Sequence, residues 1–386
     1  MSHPKRASST LRLILLSAAL LSLLVLYAHR AGNSRDEARP DADLPFKPVT
    51  LATGLTHPWG MAFLPDGRVL ITERPGRLRI LDKGHLLTEP VDGLPPIAAG
   101  GQGGLLDVVL HPEYGQNGWI YFSYAAGEGR RIGTEVGRGR LEGNRIRDWQ
   151  TLFRLEPKTG SRAHFGSRLV FDNEGHLFIT LGDRRNRHRA QDLGDHAGSV
   201  IRLNGDGSVP GDNPFVATRG ARPEIYSYGH YNIQGAALHP RSGVLWIHEH
   251  GPQGGDEVNI VEPGKNYGWP VITYGKEYGT GWRIGEGTHK PGMMQPIHYW
   301  VPSIAPSGMA FYTGSRYPGW ENSLLVGSLK FQLLVRLELD GETVVREERM
   351  LKGQLGRIRD VRVGPDDLIY LLTDASDGRL VRLEPR

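Results

Sequence analysis

His164 and Asp183 are the first residues whose types and spacing point to chemistry. His164 stands in Arg162-Ala163-His164-Phe165-Gly166, just ahead of the run Leu169–Thr180 (LVFDNEGHLFIT). That run reads as two strands around an Asp-Asn-Glu-Gly turn. Asp183 follows at its far end, in Leu181-Gly182-Asp183. A hairpin returns its two ends to one place, so the Asp183 carboxylate can hold one ring nitrogen of His164. The other nitrogen is then a general base suited to neutral pH.

Further polar segments sit where turns are expected. Gln102 is framed by Gly100, Gly101, Gly103 and Gly104, which permit close backbone approach to a ligand or simply form a turn. Tyr228–Gly235 (YGHYNIQG) concentrates aromatic and amide groups around Tyr231 and Asn232. His248-Glu249-His250 suggests a transition metal, but in a strand the two imidazoles share a face and Glu249 points away. The Gly251-Pro252 turn, with Glu257 nearby, offers backbone carbonyls and a carboxylate, which suit a hard cation such as Ca²⁺ better. Lys330, Arg357 and Arg359 form a late cationic group able to hold carboxylates, or else a solvated edge. The run Arg184-Arg185-Asn186-Arg187-His188-Arg189 reads as a solvated loop that could also clamp an acidic partner.

These segments need a scaffold that brings distant loops together. An apolar stretch, a turn and a second strand recur at Met61–Ile71, Leu105–Tyr121, Leu169–Thr180, Ala236–Ile247, Met309–Val326 and Val361–Leu371. With 52 Gly and 26 Pro in 386 residues, tight turns are abundant. The fold class expected is all-β, a six-bladed propeller whose blades stack around an axis and whose loops converge on it. A two-sheet sandwich accommodates so many periodic strands less well. The long interval 249–305 is expected to be loop.

Composition narrows the chemistry. There is no cysteine, which excludes disulfides, thiolate metal sites, cysteine nucleophiles and a lipoprotein anchor. Residues 1–39 hold six Lys/Arg and two acids; removing them from totals of 46 and 42 leaves 40 of each. Global charge therefore gives no reason to expect nucleic acid. Leu13–Ala28 is an uncharged apolar run after Lys5, Arg6 and Arg12. It reads as a signal peptide or signal anchor spanning residues 1–28, followed by a polar linker over 29–48 and the propeller over 49–386. A periplasmic or extracellular location follows, with possible inner-membrane anchoring through residues 13–28.

Taken in order, HPWGMAFLPDG, GQGGLLDVVLHP, HFGSRLVFDNEG, LFITLGD, PEIYSYGHYNIQG, EHGPQGGDEVNIVEPGKNYGWP, SGMAFY and GRIRDVRVGPD resemble the PQQ-dependent soluble aldose sugar dehydrogenases, over about residues 49–385. The resemblance implies a six-bladed propeller enzyme that oxidises aldoses at C1 to lactones. His164 would be the base and Asp183 its orienting acid. Gln102, Tyr231, Asn232, Tyr278, Lys330, Arg357 and Arg359 would contact PQQ. The carbonyls of Gly251 and Pro252 would hold a Ca²⁺ that polarises the quinone, and Glu257 with the Tyr267 carbonyl would hold a second, structural Ca²⁺. Where the family commonly has Arg-Asn-Pro, this chain has Tyr231-Asn232-Ile233, which offers a hydroxyl but no cation. An aldose substrate and an external electron acceptor are the partners implied, for a monomer or dimer without nucleic acid. The competing classes are a non-catalytic surface propeller that binds a glycan or protein, and a calcium-dependent propeller lactonase.

Overall fold

The computed structural model describes residues 44–386. The expected leader and most of the expected linker lie outside them. Strand β1 (Phe46–Leu55) begins within the stretch read as linker up to residue 48, because Leu44 and Phe46 are buried and start the core. No helix among the described residues is long and apolar enough to cross a membrane.

Among the described residues, twenty-four strands form six four-stranded antiparallel sheets. Blade 1 contains β2 (Pro58–Phe63), β3 (Val69–Glu73), β4 (Arg77–Asp82) and β5 (His85–Leu86). Blade 2 contains β6 (Leu105–Leu110), β7 (Trp119–Glu128), β8 (Arg131–Glu142) and β9 (Arg145–Arg154). Blade 3 contains β10 (Leu169–Phe171), β11 (His176–Thr180), β12 (Ser199–Asn204) and β13 (Ile225–Tyr228). Blade 4 contains β14 (Ile233–Leu238), β15 (Leu245–Glu249), β16 (Asp256–Ile260) and β17 (His298–Trp300). Blade 5 contains β18 (Pro306–Tyr312), β19 (Ser323–Ser328), β20 (Leu333–Asp340) and β21 (Thr343–Met350). Blade 6 takes β22 (Ile358–Val363), β23 (Ile369–Thr373) and β24 (Gly378–Pro385), and β1 pairs with β24 to complete it.

The six recurring motifs are the first two strands of each blade. β2, β6, β10, β14, β18 and β22 touch one another in sequence around the axis and close the ring. Apolar side chains fill the space between blades, as where Met61, Leu325 and Leu371 share one cluster. Ring closure leaves each blade buried on both broad faces, so only the outermost strands, such as β9 and β21, present edges to water. The interval 249–305 is not wholly loop, since it supplies β16 and β17; the excursion between them returns over the site.

Charge plugs the axis instead of apolar atoms. Arg168 reaches Asp360 (2.9 Å) and Asp107 (3.4 Å), and Arg362 reaches the same two acids (3.0 and 2.6 Å). In five of the six blades the innermost strand is bulged at one end: Pro58/Gly60, Leu105/Val108, Ile233/Gly235, Pro306/Met309 and Ile358/Asp360. Such bulges bend a strand and re-aim its side chains. These lie on the face where His164 and Asp183 meet.

Candidate active site

His164 precedes β10 with its backbone at φ 54, a left-handed conformation uncommon outside glycine. Gly166 follows at φ 64, and a Cβ there would lie 2.5 Å from the Leu181 Cα. Only glycine lets the chain pass so close to the end of β11. The segment thereby sets His164 opposite Asp183, with Nδ1 2.6 Å from Oδ1. Asp183 also accepts from Trp269 Nε1 (2.9 Å) and from the Arg185 backbone N–H (2.8 Å). Gln102 Oε1 accepts the His164 backbone N–H at 2.7 Å. His164 is 6% exposed and Asp183 1%. Nε2 makes no hydrogen bond among the described residues, so it is the nitrogen free to act. The Tyr231 ring lies 4.6 Å from the imidazole and 4.6 Å from Trp269, forming an aromatic wall. Burial holds the Tyr231 hydroxyl well above its ordinary acidity range, so it is a neutral donor.

Beside this dyad, near the axis, is a cavity of about 240 Å³. Gln102, Asn232, Arg357 and Arg359 line it, with Trp59, Arg74, Gln234 and His250. Arg359 donates to Asp374 (2.8 Å) and Gln234 (3.3 Å), yet its buried Nε has no partner. Arg357 reaches the same Asp374 oxygen at 3.2 Å, and His57 Nδ1 contacts the other at 2.8 Å. Burial favours neutral Asp374, but Arg359, His57 and Arg357 outweigh it and keep the carboxyl below its usual range. One acid thus orients two arginines, and with Arg74 the cavity keeps a net positive charge. Burial pushes His250 down to about 4, and its Nε2 faces the Pro306 carbonyl at 2.7 Å.

His250 also borders a void of about 10 Å³, lined by Tyr231, Glu249, Gly251, Glu257 and Tyr267 among others. That space is of the order of a single water or ion. Glu249 accepts from His230 Nδ1 (2.8 Å), and Asn259 Nδ2 bridges Glu249 (3.4 Å) and Glu257 (3.2 Å). Burial, then the facing Glu249, pushes Glu257 up to about 8. Two facing carboxylates in a closed space are the arrangement a cation relieves. The Tyr267 and Gly251 carbonyls have no hydrogen bond among the described residues, whereas that of Pro252 accepts Lys276 N–H at 2.8 Å.

The two-histidine metal alternative fails geometrically. His248 is fully buried against Gly235 without a hydrogen bond, and His250 is committed to Pro306. The basic run is not a solvated loop throughout. Arg184 is 1% exposed, lies 3.6 Å from the Phe165 ring and donates to the carbonyls of Ser161, Ala163 and Ile132. Arg189 is buried against Asp195 (2.6 Å), and Arg187 pairs with Glu277. Tyr278 and Lys330 are exposed and do not line the cavity. Arg74, Trp59 and Asp374 escaped the sequence reading, since nothing in their spacing sets them apart from ordinary turn and strand residues, and Glu249 was set aside for pointing away from the two histidines.

A six-bladed propeller with a buried His–Asp pair beside a cationic cavity defines a class, and residues 55–382 match the family model "Glucose / Sorbosone dehydrogenase". The chain belongs to this family of sugar-oxidising dehydrogenases. It is 47% identical over 338 residues to the aldose sugar dehydrogenase YliI of Escherichia coli (strain K12), covering 86% of this chain and 91% of that one. The apo-form structure of the soluble aldose sugar dehydrogenase from Escherichia coli superposes with a TM-score of 0.86 at 46% identity, covering 88% of this chain and 100% of that one. The PQQ-bound form of an aldose sugar dehydrogenase from Streptomyces coelicolor superposes with a TM-score of 0.72 at 28% identity, covering 90% and 100%.

Proposed function

We propose that the protein oxidises the C1 hydroxyl of aldoses to lactones with PQQ and Ca²⁺. The observation that carries this is the His164–Asp183 pair set beside a cationic cavity. Three arginines face that cavity, and Arg359 Nε is buried without a partner, a donor set suited to a flat polycarboxylate. The tricarboxylate PQQ fits that chemistry, and the similarity to a PQQ-bound sugar dehydrogenase supports the same reading. Gln102 and Asn232 would add amide contacts. Glu249, Glu257 and the Tyr267 carbonyl would hold one Ca²⁺, and the Gly251 and Pro252 carbonyls another. Bound PQQ would supply the two-electron acceptor for the C1 hydride, and Ca²⁺ a Lewis acid for its quinone.

The chain's own part is proton chemistry and orientation. His164 Nε2 takes the proton from the C1 hydroxyl as C1 loses its hydride. Asp183 holds Nδ1–H, fixes the tautomer and balances the imidazolium that forms. Tyr231 and Trp269 wall the base off from water. Tyr231 donates a hydrogen bond where negative charge develops, without the added cation an arginine would bring.

The test is PQQ titration of purified protein in Ca²⁺, followed by aldose turnover with an artificial acceptor dye. His164→Ala is expected to bind PQQ normally while kcat falls about 10²–10⁴-fold. A parent protein that neither binds PQQ nor turns over an aldose refutes the proposal; lactone hydrolysis without PQQ would favour the lactonase reading instead. Leu13–Ala28 motivates a periplasmic or extracellular placement, and recovery of the protein wholly in the cytoplasmic fraction of its host would overturn it.

A further inference from the structure

We infer that Arg184 is a positioning residue for the proposed base, holding the chain on either side of His164; this rests on the dehydrogenase reading above. Asp183 and Arg184 are consecutive, just past the end of β11, and each holds a different part of one residue. Asp183 takes the His164 imidazole through Nδ1. Arg184 takes the main chain. Its guanidinium donates to the carbonyls of Ser161 and Ala163, the latter immediately ahead of His164. It also donates to the Ile132 carbonyl of β8 at 3.3 Å, which ties the segment to blade 2. Immediately after His164, the Phe165 ring lies with its centroid 3.6 Å from the same guanidinium carbon. A cation over a ring face in a place without water is a strong contact. Phe165 lines the cavity as well, so one guanidinium fixes the base and part of the cavity wall together.

The two carbonyls depend on this side chain. That of Ser161 has no other donor among the described residues, and that of Ala163 has only the Ser161 hydroxyl, at 3.4 Å. Backbone strain marks the same places independently. His164, Arg184 and Arg185 all lie in the left-handed region, at φ 54, 56 and 59. Residues other than glycine persist there only where their surroundings over-determine them. Arg184 is buried and its Nε has no partner. Asp183 pairs with His164 and Asp195 with Arg189, so the guanidinium is met by carbonyls and a ring. A residue needed only to fill this space would be apolar, because burying a charge is costly. Nor does Arg184 line the cavity, so it is no ligand of the cofactor. Without it, two bare carbonyls face the interior. The segment must shift to satisfy them, and the His164 ring shifts with it, away from Asp183.

The experiment first follows the His164–Asp183 hydrogen bond itself, in protein without cofactor, by proton NMR on isotope-labelled histidine. A 2.6 Å bond to a buried carboxylate places the Nδ1 proton far downfield, and its absence in His164→Ala assigns it. Arg184→Met should remove that resonance or move it upfield. Arg184→Lys, whose single ammonium cannot reproduce the planar fork, should give an intermediate shift. In the PQQ- and Ca²⁺-loaded enzyme, Arg184→Met should lower kcat by about 10–100-fold, with PQQ affinity within about threefold of the parent. Arg336→Met is the control. Arg336 is also buried, but it bonds Ser323 and Glu348 in blade 5, so its loss should lower stability and leave both readouts unchanged. Folded Arg184 variants that keep the resonance and keep kcat within about threefold overturn the inference, as does a parent without the resonance. So does an Arg336→Met protein that loses both as fully, since general loosening would then explain them. If Arg184→Met does not fold, Arg184→Lys decides by the same two readouts. Absence of turnover in the parent enzyme would defeat the dehydrogenase reading instead, and the resonance would still decide what Arg184 holds.

Discussion

Replacing Asp183 by Asn tests the proposed base directly. The carboxylate receives three donors: His164 Nδ1 at 2.6 Å, Arg185 N–H at 2.8 Å and Trp269 Nε1 at 2.9 Å. Asn keeps the shape but removes the charge, and its amide nitrogen must face one of these donors. An imidazolium and a carboxylate about 4 Å apart attract by about 4 kcal/mol at an effective dielectric of about 20. Both residues are buried, so solvent screens little of this. That attraction is gained only as the proton arrives on Nε2, which places the loss in kcat. Losing about 3–4 kcal/mol lowers kcat by about 10²–10³-fold. Steady-state kinetics on the reconstituted enzyme, beside a thermal melt that confirms folding, measures it. A folded D183N enzyme whose kcat stays within about threefold of the parent would show that the pair is structural and refute the assignment of His164.

Three other perturbations have defined outcomes. Without metal, Glu257 keeps its proton until about pH 8, so Ca²⁺ must displace it. Calcium affinity by calorimetry should weaken about tenfold per pH unit below that value, and the chelated protein should lose stability as pH rises from the ordinary carboxylate range toward 8; pH-independent affinity would remove Glu257 from the site. Arg184→Met strands the carbonyls of Ser161, Ala163 and Ile132 in a buried place and should cost about 2–4 kcal/mol in chemical denaturation, with Arg184→Lys intermediate; a neutral result would mean the carbonyls find other donors. Phe46→Ala removes a buried ring packed edge-on against Tyr317 and Trp320, at 6.2 and 5.7 Å, and should cost about 3–5 kcal/mol; less than about 1 kcal/mol would show that β1 does not carry the closure.

The inner half of each blade was legible because its strands are buried and flank tight turns, as in Met61–Ile71 with Pro65-Asp66-Gly67. The outer strands were not. β21 reads Thr-Val-Val-Arg-Glu-Glu-Arg-Met, with only two of its eight residues buried, so little apolar pattern survives. His164 and Asp183 were legible because a hairpin has one geometry. Glu249 was set aside for pointing away from its histidine neighbours, and pointing away carries it toward Glu257. The basic run misled because charge in a sequence implies solvent, whereas Arg184 and Arg189 find carbonyls and Asp195 inside. Asp374 organises two arginines across the β22–β23 hairpin, where Ile358 pairs with Thr373, but nothing in the spacing marked it out from an ordinary strand-end acid.

The closed ring joins its ends through β1 and β24, whose residues lie more than three hundred positions apart. Such a closure costs about 5 kcal/mol in chain entropy before any contact repays it. The first strand made must therefore wait for the last. During synthesis, five blades can assemble while Phe46 and its neighbours stay unpaired and open to chaperones. Damage at either end then strikes one seam: without β1 the edge of β24 is bare, and without β24 there is nothing for β1 to pair with, so the ring can spring open.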